Sequence, residues 1–308
     1  MPTDPQHLLT FLQAQFSPDA TNLTFLKEGW FSQAFGFSAG GQDYILRLNS
    51  WEVDFQKDAF AGEYLAGPGL PAPRVVRLGR FDRRLFYAIT PRCPGRDLSE
   101  WDSETHRRLA PALFTALDAL RRWDASALPG WGLTGGDMRG LFGSWPAYLQ
   151  AIYNQKFSYD LADLAGTFFE PDLYAAVVAA MERDFCFLPA EKWLIHGDYG
   201  FDNVVSDGET VTGVLDWAEV RLGDYLYDIA NLDYWGAEQG IPFARLWQER
   251  IARSNGGSGR GQGPAEPYFT ERMRCYTLSM AAHDLRLSAY RNDYPDYLLA
   301  KKKAAPFL

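Results

Sequence analysis

The most informative part of this 308-residue sequence is the stretch His196-Gly197-Asp198-Tyr199-Gly200-Phe201-Asp202-Asn203, followed by Val214-Leu215-Asp216-Trp217. It places three oxygen-bearing side chains at fixed intervals: Asp198, then Asn203 five residues later, then Asp216 thirteen residues beyond that. Taken singly, Asp198 would be interpreted as a turn residue and Asp216 as the end of a strand, because aspartate is common at such positions. That interpretation does not explain why three such residues occur together at this spacing.

The same spacing separates the catalytic aspartate of kinases from their metal-binding asparagine and aspartate. Phosphoryl transfer needs a carboxylate that orients and deprotonates the attacking hydroxyl, and Asp198 supplies one from a loop anchored by His196. It also needs hard oxygen ligands for Mg²⁺, because this ion bridges phosphate oxygens and neutralises developing charge. We therefore predict that Asp198 and His196 are catalytic residues and that Asn203 and Asp216 bind the metal.

Two short β-prone runs separate the predicted metal ligands. Asn203–Ser206 and Val211–Leu215 flank Asp207-Gly208, a dipeptide typical of tight hairpin turns. A hairpin here would fold Asp216 back beside Asn203.

The composition is that of a globular protein, with 47% hydrophobic, 15% aromatic and 22% charged residues. No run of about 18 apolar residues is present, and the first residues lack the basic start and apolar stretch of a signal peptide. The three cysteines, Cys93, Cys186 and Cys275, are widely spaced, so neither a disulfide framework nor a zinc site is expected. We expect a soluble, cytoplasmic protein that does not associate with membranes.

The net charge of −9 is unevenly distributed. Residues 1–95 hold nine acidic and nine basic side chains, whereas the 47 residues from Lys192 to Glu238 hold ten acidic side chains and two basic ones. Such a field repels nucleic acid and attracts cations. Because this acidic segment contains the motif quoted above, we predict a cationic ligand rather than a merely solvated face.

The first 90 residues predict a helix followed by a small, mostly antiparallel sheet with one further helix. The helices are predicted at His7–Phe16 and Asp54–Ala66, and the strands at Leu23–Leu26, Phe31–Phe37, Tyr44–Leu48, Arg74–Leu78 and Arg84–Thr90. Residues Pro91 to Gly95 interrupt this pattern. We therefore predict an N-terminal lobe over residues 1–92, with a hinge at about residues 89–95.

Residues 96–308 are predicted to form a larger, mainly helical lobe that contains the catalytic loop 196–203, Asp216 and the substrate site. Its predicted helices are Glu104–Trp123, Trp145–Lys156, Pro171–Phe185, Tyr225–Glu238, Phe243–Arg253 and Tyr268–Tyr290. Two or three short strands are predicted between Trp193 and Asp216. The glycine-rich segment Ser254–Pro264 predicts a surface loop. The expected fold class is α+β.

Together these stretches resemble the aminoglycoside phosphotransferase family. The resemblance rests on HGDYGFDN and VLDW, and extends through LKEGWFSQAFGF, YILRLNS, GLPAPRV and LGDYLYDIANL. Their order and spacing are most similar to those of hygromycin B phosphotransferases, over roughly residues 20–290. The resemblance implies a bilobal, protein-kinase-like fold, a nucleotide cofactor (ATP or GTP) with Mg²⁺, and the roles already given to Asp198, Asn203 and Asp216.

The resemblance also implies a nucleotide site in the N-terminal lobe. Glu28–Ala34 would cover the nucleotide phosphates, although it lacks the full glycine-rich pattern and would rely on backbone N–H groups and the Ser32 hydroxyl. Pro91 and Cys93 would lie in a hinge whose backbone hydrogen-bonds the purine, which leaves ATP and GTP undistinguished.

The main departure from the family pattern is the residue type that would supply the phosphate-binding cation. Where relatives often have a lysine paired with a helix glutamate, this chain has Arg47 and Asp58. The longer arginine and the shorter aspartate together keep a similar reach. Glu63 is a competing partner, but it lies about 140° from Asp58 around a helix, so both acids cannot face Arg47 equally.

Acidic and aromatic residues alternate after Asp216. Carboxylates pair with the ammonium groups of a polycationic ligand, and aromatic faces stack on sugars and attract cations. Asp224 and Asp228 are better explained as structural residues. Our predicted substrate residues are Asp202, Asp233, Trp235, Glu238 and Asp284.

The predicted reaction is transfer of the γ-phosphate of ATP or GTP to a hydroxyl of a small, cationic, aminoglycoside-type substrate. A metabolic small-molecule kinase acting on choline, homoserine, a methylthio sugar or a glycated amine is an alternative, because fold does not determine substrate. A nucleotide-binding pseudoenzyme is another, motivated by Arg47 and Asp58. The sequence does not decide the oligomeric state, and a monomer is compatible with it.

Overall fold

A computed structural model describes residues 4–29, 32–151, 159–254 and 266–308. The chain divides into two compact units. The N-terminal unit comprises Met1–Trp101 and Asp202–Glu219, and the C-terminal unit comprises Asp102–Phe201 and Val220–Leu308.

Strands outnumber helices in the N-terminal part, and helices predominate thereafter. The strands are β1 (Thr21–Glu28), β2 (Ser32–Ala39), β3 (Gln42–Asn49), β4 (Arg77–Arg80), β5 (Phe86–Pro91), β6 (Arg96–Asp97), β7 (Trp131–Thr134), β8 (Gly140–Phe142), β9 (Trp193–Ile195), β10 (Val204–Ser206), β11 (Val211–Val214) and β12 (Arg221–Gly223). The helices are α1 (Pro5–Gln15), α2 (Glu52–Phe60), α3 (Ser103–Arg121), α4 (Trp145–Ala151), α5 (Pro171–Arg183), α6 (Leu226–Gly236), α7 (Phe243–Ser254), α8 (Phe269–Arg291) and α9 (Tyr294–Ala304).

The N-terminal unit is built on an antiparallel sheet with the strand order β1-β2-β3-β5-β4. The apolar stripe of α1, represented by the fully buried Leu8 and Leu12, packs against the sheet residues Phe35, Leu46 and Ile89. Removing these side chains from water is what stabilises such a small sheet. The helix followed by a sheet is the arrangement that hydrophobic periodicity predicts.

A second, three-stranded sheet belongs to the same unit and contains a segment from much later in the chain. Its order is β11-β10-β6, with Val205 paired with Asp97. The structure therefore differs from the expectation that everything beyond residue 96 forms one lobe. The hydrogen bonds between β6 and β10 attach residues 202–219 to the N-terminal unit.

The C-terminal unit is mainly helical. Its small sheet has the order β8-β7-β12-β9. The largely buried α8 packs against α5, α6 and α9, and α6 also packs against α7. The side chain of Asp102 accepts a hydrogen bond from the Thr105 amide at 2.8 Å and so caps α3. The α+β fold class is confirmed.

Sequence periodicity located most of these elements but not all. Strands β6, β7, β8 and β12 were not predicted, because each has only two to four residues. Helix α9 was also missed. The left-handed backbone of Asn292 ends α8, and Asp293 then caps a new helix through the Asp296 amide.

The end of the predicted helix Trp145–Lys156 and all but the first residue of the glycine-rich segment Ser254–Pro264 lie outside the described residues. Among the residues that the structure describes, no helix has both the length and the apolar character needed to cross a membrane.

Candidate active site

The loop that carries Asp198 combines an exposed side chain with a buried backbone. It follows β9 directly, and His196, Gly197 and Tyr199 are all buried, whereas Asp198 is exposed. Gly197 has a φ of 83°, a left-handed conformation that glycine adopts without strain. The loop therefore presents one carboxylate to solvent from a position fixed by its neighbours.

The buried carboxylate of Asp228, on α6, binds the backbone of this loop. Its two carboxylate oxygens accept hydrogen bonds from the backbone amides of His196 and Gly197, both at 2.8 Å. Burial raises the pKa of Asp228, while His196 and these two amides act in the opposite direction. The sequence-based assignment of Asp228 to a structural role agrees with these contacts.

Two further side chains restrain the same backbone. An Nη atom of Arg221 donates to the Gly197 carbonyl oxygen at 2.7 Å. The side-chain amide of Asn231 donates to the Tyr199 carbonyl oxygen at 3.2 Å. The Tyr199 hydroxyl donates to the Leu113 carbonyl oxygen at 3.1 Å. The loop that carries Asp198 is thus fixed by hydrogen bonds to groups of α6, β12 and α3.

The imidazole of His196 contacts the loop that it precedes. Its Nδ1 atom accepts a hydrogen bond from the Asp198 amide at 3.3 Å, and the residue is fully buried. This contact places Nδ1 beside the backbone of Asp198. The position agrees with the predicted anchoring of the loop by His196.

Asn203 and Asp216 lie at the two open ends of one hairpin. Val204 pairs with Val214, and the Leu215 amide donates to the Asn203 carbonyl oxygen at 2.8 Å. This is the hairpin that the sequence predicts. Asp216 has a φ of 58°, and a left-handed backbone at a non-glycine residue is uncommon enough to suggest a functional constraint.

The hairpin offers a small set of hard donors. Among the residues that the structure describes, no three histidine, cysteine, aspartate or glutamate side chains form a metal cluster. Mg²⁺ is commonly held by one or two carboxylates together with water and substrate phosphates, and not by an all-protein cage. One aspartate and one asparagine amide oxygen therefore fit this ion.

Helix α2 fixes the chain immediately after Asp216. Asp58 accepts a hydrogen bond from the Trp217 amide at 3.0 Å, and the Lys57 ammonium donates to the Ala218 carbonyl oxygen at 2.7 Å. Both side chains are buried. Two successive residues of α2 thus hold two successive residues of the segment that follows Asp216.

The same Asp58 carboxylate pairs with Arg47. An Nη atom of Arg47, on β3, donates to Oδ2 of Asp58, while Oδ1 of Asp58 contacts Trp217. Glu63 is exposed, on the π-helical turn Ala61–Leu65 that continues α2. The structure thus selects Asp58 over Glu63 as the partner of Arg47, and it links Arg47 through Asp58 to the backbone beside Asp216.

The predicted phosphate-binding residue Ser32 contacts Gly29, the residue that follows β1. The Gly29 amide donates to the Ser32 carbonyl oxygen at 2.8 Å, and a Cβ atom added to Gly29 would lie 3.3 Å from the Ser32 hydroxyl. Trp30 and Phe31, also in the predicted loop Glu28–Ala34, lie outside the described residues. Ser32 is therefore placed at the first position of β2, with its hydroxyl toward Gly29.

The predicted hinge residues lie at the end of β5 and just beyond it. Pro91 ends β5 opposite Tyr44 and offers only a carbonyl group, because proline lacks an N–H. The thiol of Cys93 packs against Gly213, where an added Cβ atom would lie 2.6 Å from the sulfur. Burial raises the pKa of Cys93 to about 11. This thiol therefore remains protonated and serves packing rather than nucleophilic chemistry.

The five predicted substrate residues have unequal surroundings. Asp202 and Trp235 are exposed. Asp233 accepts a hydrogen bond from the Ala244 amide at 2.8 Å at the start of α7, and Asp284 accepts one from the Tyr234 hydroxyl at 2.8 Å. Glu238 forms an ion pair with Lys303 at 2.9 Å. The carboxylates of Asp233, Asp284 and Glu238 thus each have a partner within the protein.

Sequence reasoning missed two cations near these groups. Arg221 stood out only as one of the two bases in the acidic segment, and nothing in the local pattern indicated its bond to Gly197. Lys303 lies on α9, which was not predicted. Its apolar neighbours Tyr297 and Ala300, together with the capping aspartate Asp293, were the available signals for that helix.

Comparison with known proteins gives a consistent result. The phosphotransferase enzyme family (APH) model matches residues 22–263. A curated relative, hygromycin-B 4-O-kinase from Escherichia coli, is 30% identical over 228 residues, which cover 73% of this chain and 65% of the relative. The matched region therefore spans slightly less than two thirds of that relative.

Solved structures extend the likeness over nearly the whole chain. A thermostable mutant of aminoglycoside phosphotransferase APH(4)-Ia, in ternary complex with AMP-PNP and hygromycin B, has a TM-score of 0.79 and 26% identity, with 97% of both chains covered. The GDP and kanamycin complex of APH(2")-IIia has a TM-score of 0.65 and 15% identity over 98% of this chain and 99% of that one, and so shows the fold alone. The resemblance found in the sequence is confirmed, and this chain belongs to the phosphotransferase enzyme family.

Proposed function

We propose that this protein transfers the γ-phosphoryl group of a nucleoside triphosphate to a hydroxyl of an aminoglycoside-type, hygromycin-like substrate. The observation that carries the proposal is the exposed carboxylate of Asp198 on a loop whose backbone is held by Asp228, Arg221 and Asn231. A general base needs both access to substrate and a fixed position. The family membership and the hygromycin-B 4-O-kinase relative support the substrate class.

In the proposed reaction, the substrate hydroxyl oxygen forms a bond to the γ-phosphorus as the bond between that phosphorus and the β–γ bridging oxygen breaks. The hydroxyl proton passes to the Asp198 carboxylate, and the nucleoside diphosphate leaves. His196 holds the loop through the Asp198 amide and does not itself take the proton. Catalysis then depends mainly on positioning and on stabilisation of charge.

Asn203 and Asp216 are the proposed ligands of Mg²⁺. When bound, Mg²⁺ supplies positive charge to the phosphate oxygens. The hairpin and the α2 contacts to Trp217 and Ala218 hold these two residues in place. A fixed donor pair of this kind costs little reorganisation when the ion and nucleotide bind.

We assign the nucleotide to the N-terminal lobe, residues 1–92 with the hinge at about 89–95. Ser32 and Arg47 would contact phosphate, Asp58 would orient Arg47, and the Pro91 carbonyl and Cys93 amide would hydrogen-bond the base. AMP-PNP in one similar structure and GDP in another support nucleotide use without deciding between ATP and GTP.

The Arg47–Asp58 pair provides a separate test of nucleotide binding. Arg47→Ala removes the guanidinium proposed to contact phosphate, so we expect the nucleotide KM to rise by about ten-fold, while Arg47→Lys retains part of the affinity. Exposed Arg84, outside the proposed site, gives the matched control Arg84→Ala. An unchanged nucleotide KM in Arg47→Ala would remove Arg47 from the site.

The substrate is proposed to meet Asp202 and Trp235, which are both exposed, whereas the exposed Glu238 is already paired with Lys303. A metabolic hydroxyl substrate is the second candidate, because Asp233, Glu238 and Asp284 already have partners and fewer carboxylates are left for a polycation.

The first experiment measures Mg²⁺-dependent ADP and GDP release from ATP and GTP. The panel contains hygromycin B, other aminoglycosides and small metabolic alcohols, with Asp198→Asn as the control. Turnover of an aminoglycoside that disappears in the control supports the proposal. Turnover of a metabolite alone would replace the substrate but keep the mechanism, and nucleotide binding without any turnover would favour a pseudoenzyme.

A further inference from the structure

The ammonium group of Lys303 lies in a cage formed by the end of α6 and the turn that follows it. Its Nζ atom is 3.8 Å from the centroid of the Tyr234 ring and 4.2 Å from that of the Trp235 ring. A carboxylate oxygen of Glu238 is 2.9 Å away. The two rings meet edge to face, with an interplanar angle of 85°, so they bound the ammonium on two sides.

These are the groups that recognise an organic ammonium ion. Aromatic faces attract a cation through their quadrupole, and a carboxylate adds a direct ion pair. The Lys303 side chain is only 9% exposed, so this position is filled from within the chain. The acidic and aromatic residues at the end of α6 are thus already bound to a cation.

The cage is open to solvent at its outer wall. Trp235 is 40% exposed and the Glu238 side chain is 44% exposed, whereas Tyr234 is buried and donates its hydroxyl hydrogen to Asp284. A dissolved cation would therefore reach the position if the lysine were absent. The buried Tyr234 does not need to move for this, because its hydrogen bond to Asp284 does not involve Lys303.

Helix α9 is anchored by contacts other than Lys303. Tyr297 and Ala300 are 1% exposed, and Lys301 forms an ion pair with Glu170 at 2.8 Å. The Tyr297 hydroxyl also accepts a hydrogen bond from the Glu170 amide at 2.9 Å. We therefore expect the helix to remain docked when the Lys303 ammonium is removed.

We propose that Lys303 is an internal occupant of an ammonium-binding position formed by Tyr234, Trp235 and Glu238, and that it closes this position to cationic ligands. As a statement about substrate selectivity, the inference rests on the proposed function. The claim that the position binds cations does not depend on the proposed function. It assigns to Lys303 the place that the sequence pattern gave to a substrate ammonium.

The test measures spermidine binding by calorimetry to the full-length protein without nucleotide. Spermidine carries ammonium groups but no hydroxyl, so it cannot be a phosphoryl acceptor. We expect Lys303→Met to bind it about ten-fold more tightly than the wild type, since an aromatic face and a carboxylate become available. Lys302, exposed on the same helix, gives the matched control Lys302→Met with the same change in net charge and no gain.

Two further variants determine where the gain arises. Lys303→Arg keeps a cation in the cage and should not gain affinity, whereas adding Trp235→Leu to Lys303→Met should abolish the gain. Equal gains in the two methionine variants would contradict the proposal, because they would reflect net charge alone. A folded Lys303→Met protein without any gain would also contradict it.

Folding is followed by circular dichroism and thermal unfolding. If Lys303→Met does not fold, Lys303→Gln replaces it, and loss of the fold in both would make Lys303 a structural anchor and overturn the inference. Turnover of hygromycin B is measured separately on the wild type. Its absence would contradict the proposed function and leave the spermidine result to decide the role of Lys303.

Discussion

The loop that carries Asp198 and the end of α6 are both acidic, yet their carboxylates have different surroundings. In the loop, the backbone is buried and held by Asp228 and Arg221, while the Asp198 side chain is exposed. At the end of α6, Asp233 caps a helix and Glu238 is paired with Lys303. Acidic composition therefore does not measure how many carboxylates are available to a ligand.

This difference has a physical origin. At Asp198, the loop backbone is held by hydrogen bonds to Asp228, Arg221 and Asn231, and the side chain is exposed. Around the end of α6, Asp233 accepts a hydrogen bond from a backbone amide, Asp284 of α8 accepts one from a hydroxyl, and Glu238 pairs with an ammonium group. The following substitutions test this division in order of expected effect.

Asp198→Asn should have the largest effect on activity. The amide cannot take a proton from the attacking hydroxyl, so we expect kcat to fall by roughly 10²–10⁴-fold with nucleotide affinity retained. Steady-state kinetics and nucleotide titration measure the two quantities. Asp202→Asn, an exposed neighbour, should change substrate KM more than kcat. Comparable losses of kcat in both variants would contradict a unique role for Asp198.

Asp228→Asn should affect catalysis through the loop backbone. The amide keeps one acceptor for two backbone N–H groups, so we expect the unfolding free energy to fall by about 1–3 kcal/mol and kcat by about ten-fold. Substrate KM should change less. Asn231→Ala removes a single bond to Tyr199 and serves as the milder comparison. A stability loss with no change in kcat would restrict Asp228 to a structural role.

Asp233→Ala should alter stability and leave substrate binding intact. Burial raises the pKa of Asp233, and its carboxylate accepts from the Ala244 amide as a cap of α7. We expect unfolding to become easier by about 0.5–2 kcal/mol, measured in urea. Substrate KM should remain that of the wild type. A raised KM without a loss of stability would restore Asp233 to the substrate site.

The smallest expected effect is a pH dependence of stability that belongs to Lys303. Burial lowers the pKa of its ammonium, although Glu238, Asp284 and Asp296 favour the charged form. The unfolded chain then binds more protons than the folded one between the lowered pKa and the ordinary value of 10.5. Stability of the wild type relative to Lys303→Met should rise with pH across that interval.

Urea midpoints of wild type and Lys303→Met, taken between about pH 8 and pH 10, measure this difference. Lys302→Met should show none of it. A parallel pH dependence in wild type and Lys303→Met would mean that the cage does not perturb Lys303.

The sequence was sufficient for the elements whose signals are local. The stripe of α1, the meander β1–β3 and the hairpin between Asn203 and Asp216 depend on periodicity and turn residues within short windows. The spacing of Asp198, Asn203 and Asp216 depends on chain order alone. The family resemblance rests on the same local patterns, which is why it covered most of the chain.

Only the tertiary structure decided which groups are partners. The bonds of Arg221 to Gly197, Asp58 to Trp217 and Lys303 to Glu238 join elements that are distant in sequence. The attachment of residues 202–219 to the N-terminal unit likewise depends on pairing between β6 and β10. Periodicity specifies which face of an element is buried, but it contains no information about which distant donor will meet a given carboxylate, because that choice depends on packing in three dimensions.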